Sequence, residues 1–389
     1  MNFRLAKYLG EGTKPKRRML SIRRFFLQQT VRPGLRGNVY SDFLLQLFAM
    51  KVLFIGGTGI ISTACTALAV ERGIELTLLT RGKHEANIPR AVRILSGDIN
   101  NADLASKLSQ EKFDAVVDWI AFAPADIERD IKLFRGRTRQ FIFISSASVY
   151  QKPASHYLIT ESTPLANRFW DYSRNKIACE ERLMQAYRDE SFPVTIIRPS
   201  LTYGETLVPL IMNSWAEMSY TAVDRMLRGQ QMIVPGDGTS LWVLTHNTDF
   251  AKGLVGLLGN EQAIGHSFHI TSDEVLTWNQ IFEIVAAAAG VEAKLVHIPS
   301  EFIVACLPEK EGSLLGDKSL SVVFDNTKVK RFVPDYCATM TFAQGIRKSL
   351  AWFDSDPARK RIDHQANATW DKLSTAYKKG MAEAVKSFR

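Results

Sequence analysis

Lys51-Val52-Leu53-Phe54-Ile55-Gly56-Gly57-Thr58-Gly59-Ile60-Ile61-Ser62 decides the fold. A short apolar run with β-branched and aromatic members reads as a strand. Residues 61–72 then have the composition of a helix, and Gly73 is its natural stop. The glycines between them let the backbone turn tightly and approach a pyrophosphate with no side chain in the way. Backbone N–H groups at the start of the following helix face the same anion. Gly56, Thr58, Gly59 and Ile60 are therefore candidate cofactor-binding residues. Ser62 stands where a third glycine is usual. Its hydroxymethyl group is expected to push the helix slightly off the sheet or to offer the phosphates a donor.

Outward from this turn, apolar strands alternate with helices. Strands are expected at 75–80, 92–95, 115–117, 141–144 and 194–197, and helices at 102–109, 126–134 and 173–188. This alternation predicts an α/β fold, a Rossmann-type doubly wound parallel sheet with helices on both faces. From about Leu201 the alternation loosens, which predicts a smaller C-terminal substrate-capping region. The expected division is 50–200 for the NAD(P)-binding core, 201–350 for a substrate-binding region partly interleaved with it, and 351–389 for a helical tail. Tyr203, Trp242 and Trp278 are expected mainly in the core of the capping region, and His246 as a helix cap.

The end of the second strand, Leu79-Thr80-Arg81-Gly82-Lys83, lacks the acidic residue that usually binds a ribose 2′-hydroxyl. Arg81, with Lys83 nearby, could pair with a 2′-phosphate instead, which favours NADP over NAD. After the third strand come Gly97-Asp98-Ile99, where a carboxylate can meet the adenine amino group or cap a helix.

Tyr172-Ser173-Arg174-Asn175-Lys176 places a phenol and an ammonium four residues apart, on one face of a helix. The ammonium is expected to stabilise phenolate and lower the Tyr172 pKa. Phe141-Ile142-Phe143-Ile144 runs into Ser145-Ser146, so the Ser146 hydroxyl sits at the mouth of the sheet, where ligands of such folds bind. Ser146, Tyr172 and Lys176 are the candidate catalytic residues.

With these residues in place, the chain resembles the extended short-chain dehydrogenase/reductase family, also called the NAD-dependent epimerase/dehydratase family. The motifs are the 56–62 turn, Gly97-Asp98, residues 145–150, Tyr172 with Lys176, Arg198-Pro199-Ser200-Leu201-Thr202-Tyr203-Gly204, and Pro235-Gly236-Asp237-Gly238, in the family's order over roughly residues 50–350. The resemblance implies that Ser146 orients the substrate oxygen and that Tyr172 is the acid/base. It also implies that Lys176 holds the nicotinamide ribose and that Pro199 and Ser200 line the nicotinamide. Net oxidoreduction and epimerisation by transient oxidation both use this set on a small sugar-like substrate. Two departures stand out. Leu201 replaces an Asn common in sugar-nucleotide members, and residues 239–246 lack the Arg that grips a diphosphate. A nucleotide-diphosphate sugar would be poorly paired there. Ala147 and Ser148 replace the Asp-Glu pair of dehydratases. A homodimer, common in that family, is implied by resemblance only.

The charge pattern bears on the other reading. The net charge is +9, but residues 1–49 hold ten Lys/Arg against two acids, leaving +1 on residues 50–389. A near-neutral body offers no electrostatic footprint for nucleic acid, so an RNA-binding or regulatory role, known for some relatives of this fold, is the disfavoured alternative. Residues 1–49 read as an extension outside the fold, a gene-model extension being favoured over a transit peptide. No run of about 18 apolar residues predicts a membrane span. Cys65, Cys179, Cys306 and Cys337 are far apart, which suits buried thiols in a reducing, cytoplasmic setting and no metal site.

Overall fold

The computed structural model describes residues 50–82, 88–108 and 110–389; Lys83 and the basic segment 1–49 lie outside the described residues. Six strands form where alternation places them: β1 (Lys51–Ile55), β2 (Glu75–Thr80), β3 (Arg93–Ser96), β4 (Ala115–Asp118), β5 (Phe141–Ile144) and β6 (Val194–Arg198). A seventh, β7 (Ser267–His269), was not anticipated. Three residues with two polar ends carry too short a pattern to declare themselves. All seven are parallel, in the order β7-β6-β5-β4-β1-β2-β3. The order reverses at β1, so the carboxyl ends of β1 and β4 diverge and open a crevice.

Helices cover both faces. On one side α1 (Ser62–Glu71) packs with α5 (Asn247–Leu257), through Cys65, Ala69, Phe250 and Leu254. On the other lie α2 (Ala102–Leu108), α3 (Pro124–Phe134) and α4 (Asp171–Glu190). Helix α4 buries Ser173, Lys176, Cys179, Glu180, Leu183 and Ala186, a single stripe at helical spacing. That stripe puts Lys176 against the sheet.

A third core gathers the rest of the chain. Tyr203, Trp242, Trp278, Phe342 and Trp370 are buried in it, so the aromatic residues of this half are core. Trp215, at 60% exposed, and Phe388, at 93%, are exceptions. Helix α6 (Trp278–Ala288) starts on Thr277, whose hydroxyl accepts the Gln280 N–H while the Gln280 side chain returns the bond. His246 caps α5 by accepting from Thr248 N–H. The cysteines divide: Cys65 and Cys179 are buried, whereas Cys306 and Cys337 are exposed, contrary to the expectation that all four are core. Among the described residues no helix is long and apolar enough to cross a membrane.

Candidate active site

The glycine turn leaves β1 with Gly56 and Gly57 at φ +95° and +106°, a region that favours glycine. A Cβ on Gly57 would come 2.8 Å from Leu78 Cδ2, and one on Gly56 3.2 Å from Trp119 Cβ. Gly59 is exposed. Ser62 behaves differently from either expectation. It is buried, its Oγ accepts Gly59 N–H at 2.9 Å, and it donates back to Gly59 O. The hydroxyl holds the turn and is not turned toward a phosphate. Thr66 Oγ1 adds a bond to Gly57 O, and Asn247 Nδ2 of α5 donates to Ile60 O at 2.7 Å. No side chain caps α1, so its N-terminal end suits an anion.

At the end of the crevice where the sequence places the adenosine, Arg81 is exposed just past β2. Asp98 Oδ1 accepts both Asn100 N–H and Asn100 Nδ2, so the carboxylate shapes its own turn, and contact with an adenine would fall to its other oxygen. Ile99 is buried.

At the other end, Ile61, Trp119, Phe122, Ile144, Ser145, Ser146, Tyr172, Lys176, Pro199 and Ser200 enclose one cavity of about 250 Å³. The three candidate catalytic side chains thus meet each other, the start of α1 and the Pro199-Ser200 pair. Sequence reasoning missed Trp119 and Phe122, on the loop after β4. The expected strand ends at 117, and their place just past its carboxyl end was the available signal.

A chain of hydroxyls fixes Ser146. Ser173 Oγ donates to Ser148 Oγ at 2.7 Å, and Ser148 Oγ lies 2.9 Å from Ser146 Oγ. Ser148 N–H also donates to Ser146 Oγ. With Ser148 receiving from Ser173, its own proton goes to Ser146. With its acceptor sites taken by Ser148, Ser146 keeps its own proton for a partner in the cavity it shares with Tyr172. Ser173 is fully buried, so this chain orients Ser146 and leads no proton to solvent.

Lys176 is 2% exposed and donates to Ala121 O at 2.7 Å and Ile144 O at 2.8 Å. Its ammonium lies 4.5 Å from the Phe122 ring centre. Burial brings its pKa down to about 8. One of its three donors is left for a ligand. Tyr172 moves against expectation: burial pushes its pKa up, Ser146 pulls it down, and Asp317 raises it further. The lysine is 5.9 Å from the Tyr172 ring centre and spent on two carbonyls. The resting phenol is therefore protonated at neutral pH.

The loop that carries Ala121 is itself clamped. Asp118 Oδ1 accepts Ile120 N–H and Ala121 N–H, and Asp126 Oδ2 accepts Phe122 N–H and Ala123 N–H. Arg129 joins Asp118, Asp126 and Asp130, and reaches Asn100 of the adenosine-end turn at 3.1 Å. Burial and the Asp118 charge raise the Asp130 pKa. Arg198, at the end of β6, forms a buried ion pair with Glu180 of α4 at 2.6 Å. That pair sets the depth of the helix bearing Tyr172 and Lys176.

A doubly wound sheet with a glycine turn at its switch point and a Tyr/Lys/Ser set beside it defines a dinucleotide-dependent class of α/β proteins. The NAD dependent epimerase/dehydratase family model matches residues 52–271, and the chain belongs to that family. A relative from Arabidopsis thaliana, the chloroplast stem-loop binding protein of 41 kDa b, is 30% identical over 269 residues, 65% of this chain and 67% of the relative. The UDP-glucose 4-epimerase of Lactobacillus helveticus is 30% identical over 170 residues, 38% of this chain and 51% of that enzyme. Among solved structures, an epimerase from Methanothermobacter thermautotrophicus superposes with a TM-score of 0.66 at 18% identity, covering 82% of this chain and 97% of that one.

Proposed function

We propose that the chain is an NAD(P)-dependent oxidoreductase or epimerase acting on a hydroxyl or carbonyl carbon of a small sugar-like substrate. The observation that carries this is the single cavity shared by Ser146, Tyr172, Lys176, Pro199 and the start of α1. A dinucleotide fits the residues present: an open glycine turn at Gly56, Thr58, Gly59 and Ile60, and a buried ammonium with a donor to spare. Asp98 and Ile99 would border its adenine, and Pro199 and Ser200 its nicotinamide. Arg81 favours NADP. A bound nicotinamide would supply hydride exchange with the substrate carbon.

The protein's own part is proton handling. Ser146 donates to the substrate oxygen and holds it beside Tyr172. The protonated phenol gives its proton to a carbonyl oxygen as charge develops there, or takes one from a hydroxyl in the reverse direction. Lys176 grips the ribose with its remaining donor. Phe122 and Trp119 supply the apolar wall of the cavity.

A second reading comes from the stem-loop binding relative, which suggests RNA as a ligand. Titration of the full chain with NADPH, NADH and a stem-loop RNA separates the two. NADPH binding below about 10 μM, with RNA affinity weak at physiological salt, supports the enzyme. RNA binding with a steep salt dependence and no cofactor affinity would reverse the conclusion.

A further inference from the structure

We infer that Ser145 anchors the nicotinamide half of the cofactor, its hydroxyl bonding the carboxamide group of the ring. This rests on the proposed function and adds a residue that belongs neither to the glycine turn nor to the Tyr172 set.

Ser145 directly follows β5, and its backbone is stitched to the end of β6. Its N–H donates to Ile197 O at 2.7 Å, and two residues on, Ala147 N–H donates to Pro199 O at 2.8 Å. Ser145 is thereby held on the Pro199-Ser200 side of the site. The backbone at Ser146 is extended, at φ −155° and ψ 146°. Successive side chains of an extended segment point apart, so the hydroxyls of Ser145 and Ser146 leave the chain in different directions. Both residues line the same cavity.

The two serines differ in what holds them. Ser146 Oγ is held by Ser148. Ser145 is 3% exposed, and its Oγ has no hydrogen-bond partner among the described residues. Trp119 Nε1, on the same lining, is likewise buried without a partner among them. The indole lies beside the glycine turn, where a Cβ on Gly56 would come 3.9 Å from Trp119 Cδ1. Trp119 therefore belongs to the turn, and Ser145 to the Pro199 side.

A buried hydroxyl without a partner costs stability, and alanine would occupy the same space without that cost. A ligand that bonds it removes the cost. Around Ser145 the cavity walls are apolar, with Ile61, Trp119, Ile144 and Pro199 among them. Nicotinamide has the matching form: a flat apolar ring with one polar substituent, a carboxamide that both donates and accepts. A serine hydroxyl also does both, and it turns about a single bond to meet either atom. Ser146 and Tyr172 already provide for the substrate oxygen, which leaves the Ser145 hydroxyl to the cofactor.

The test measures the affinity of the full chain for two matched pairs by titration calorimetry: NADPH with 2′-phospho-ADP-ribose, and NADH with ADP-ribose. The second member of each pair lacks the nicotinamide ring and keeps the rest. In the pair that the wild type prefers, Ser145→Ala should weaken binding of the complete dinucleotide about fivefold and leave its ringless partner unchanged. The melting temperature of the ligand-free variant should hold or rise, since an unpartnered buried hydroxyl has been removed, while the further rise on adding the dinucleotide should shrink. Equal weakening of both members, or of neither, overturns the inference, as does a ligand-free variant that melts lower than the wild type. Each of these results overturns it alone. A wild type that binds neither NADPH nor NADH would instead take down the enzymatic reading and this inference with it.

Discussion

Tyr172 and Lys176 depend on each other less directly than their spacing suggests. The phenol is tuned by burial and by Ser146, and the ammonium is tuned by burial and held by two backbone carbonyls. Tyr172→Phe deletes only the proton-exchanging oxygen, so turnover should fall by at least about 10²–10³-fold with NADPH affinity nearly intact. Full activity in that variant would remove the assigned role. Because the resting phenol is held protonated, kcat/KM for hydroxyl oxidation should rise with pH through the neutral and mildly alkaline range; a flat profile would point to another base. Lys176 gives a separate pH signature. Its folded pKa of about 8 lies below its ordinary value of 10.5. The unfolded chain therefore binds more protons between those values, and stability rises with pH across that window. The burial penalty, roughly 3 kcal/mol at 1.36 kcal/mol per unit, is fully present below pH 8 and gone above about 10.5. Lys176→Met carries no such penalty, so urea unfolding should show the wild type gaining on it by up to that amount between pH 7.5 and 10. A pH-independent gap would contradict the burial effect.

At the scale of elements, the site is two loops and a helix end held by buried charge. Arg129 bridges the loop after β4 and the turn after β3, so it braces both ends of the proposed cofactor cleft. Arg129→Met strands Asp118 without its cation, and should cost about 3–5 kcal/mol of stability. Cofactor affinity should fall at least tenfold as Ala121 and its bond to Lys176 shift; unchanged affinity would reduce the bridge to a structural one. Gly57→Ala meets Leu78 at an unfavourable φ and should cost about 1–3 kcal/mol in thermal unfolding. Much of this layer was legible in the chain. The strand, glycine turn and helix from Lys51 onward announce themselves through period and composition, as do the apolar strands of the sheet interior. What stayed hidden depends on distance in sequence. The Arg129 bridge joins residues that no periodicity relates, and β7 is too short to show a pattern. Ser62 kept its place in the motif but not its expected role, because a hydroxyl one turn away satisfies Gly59 locally.

Across the whole molecule, the capping region is built on aromatic packing and the sheet on aliphatic strands, and the candidate site lies where they meet. The positive charge that might suggest nucleic acid belongs to residues 1–49; residues 50–389 are close to neutral. In the proposed function, the glycine turn, the protonated phenol and the braced lysine serve one dinucleotide laid across them. The direct test is a crystal structure of the protein soaked with NADPH. The pyrophosphate should rest on residues 56–59, with the nicotinamide ring in the cavity between Ser146, Tyr172, Lys176 and Pro199. A cofactor bound elsewhere, or a cavity left empty at saturating NADPH, would contradict it.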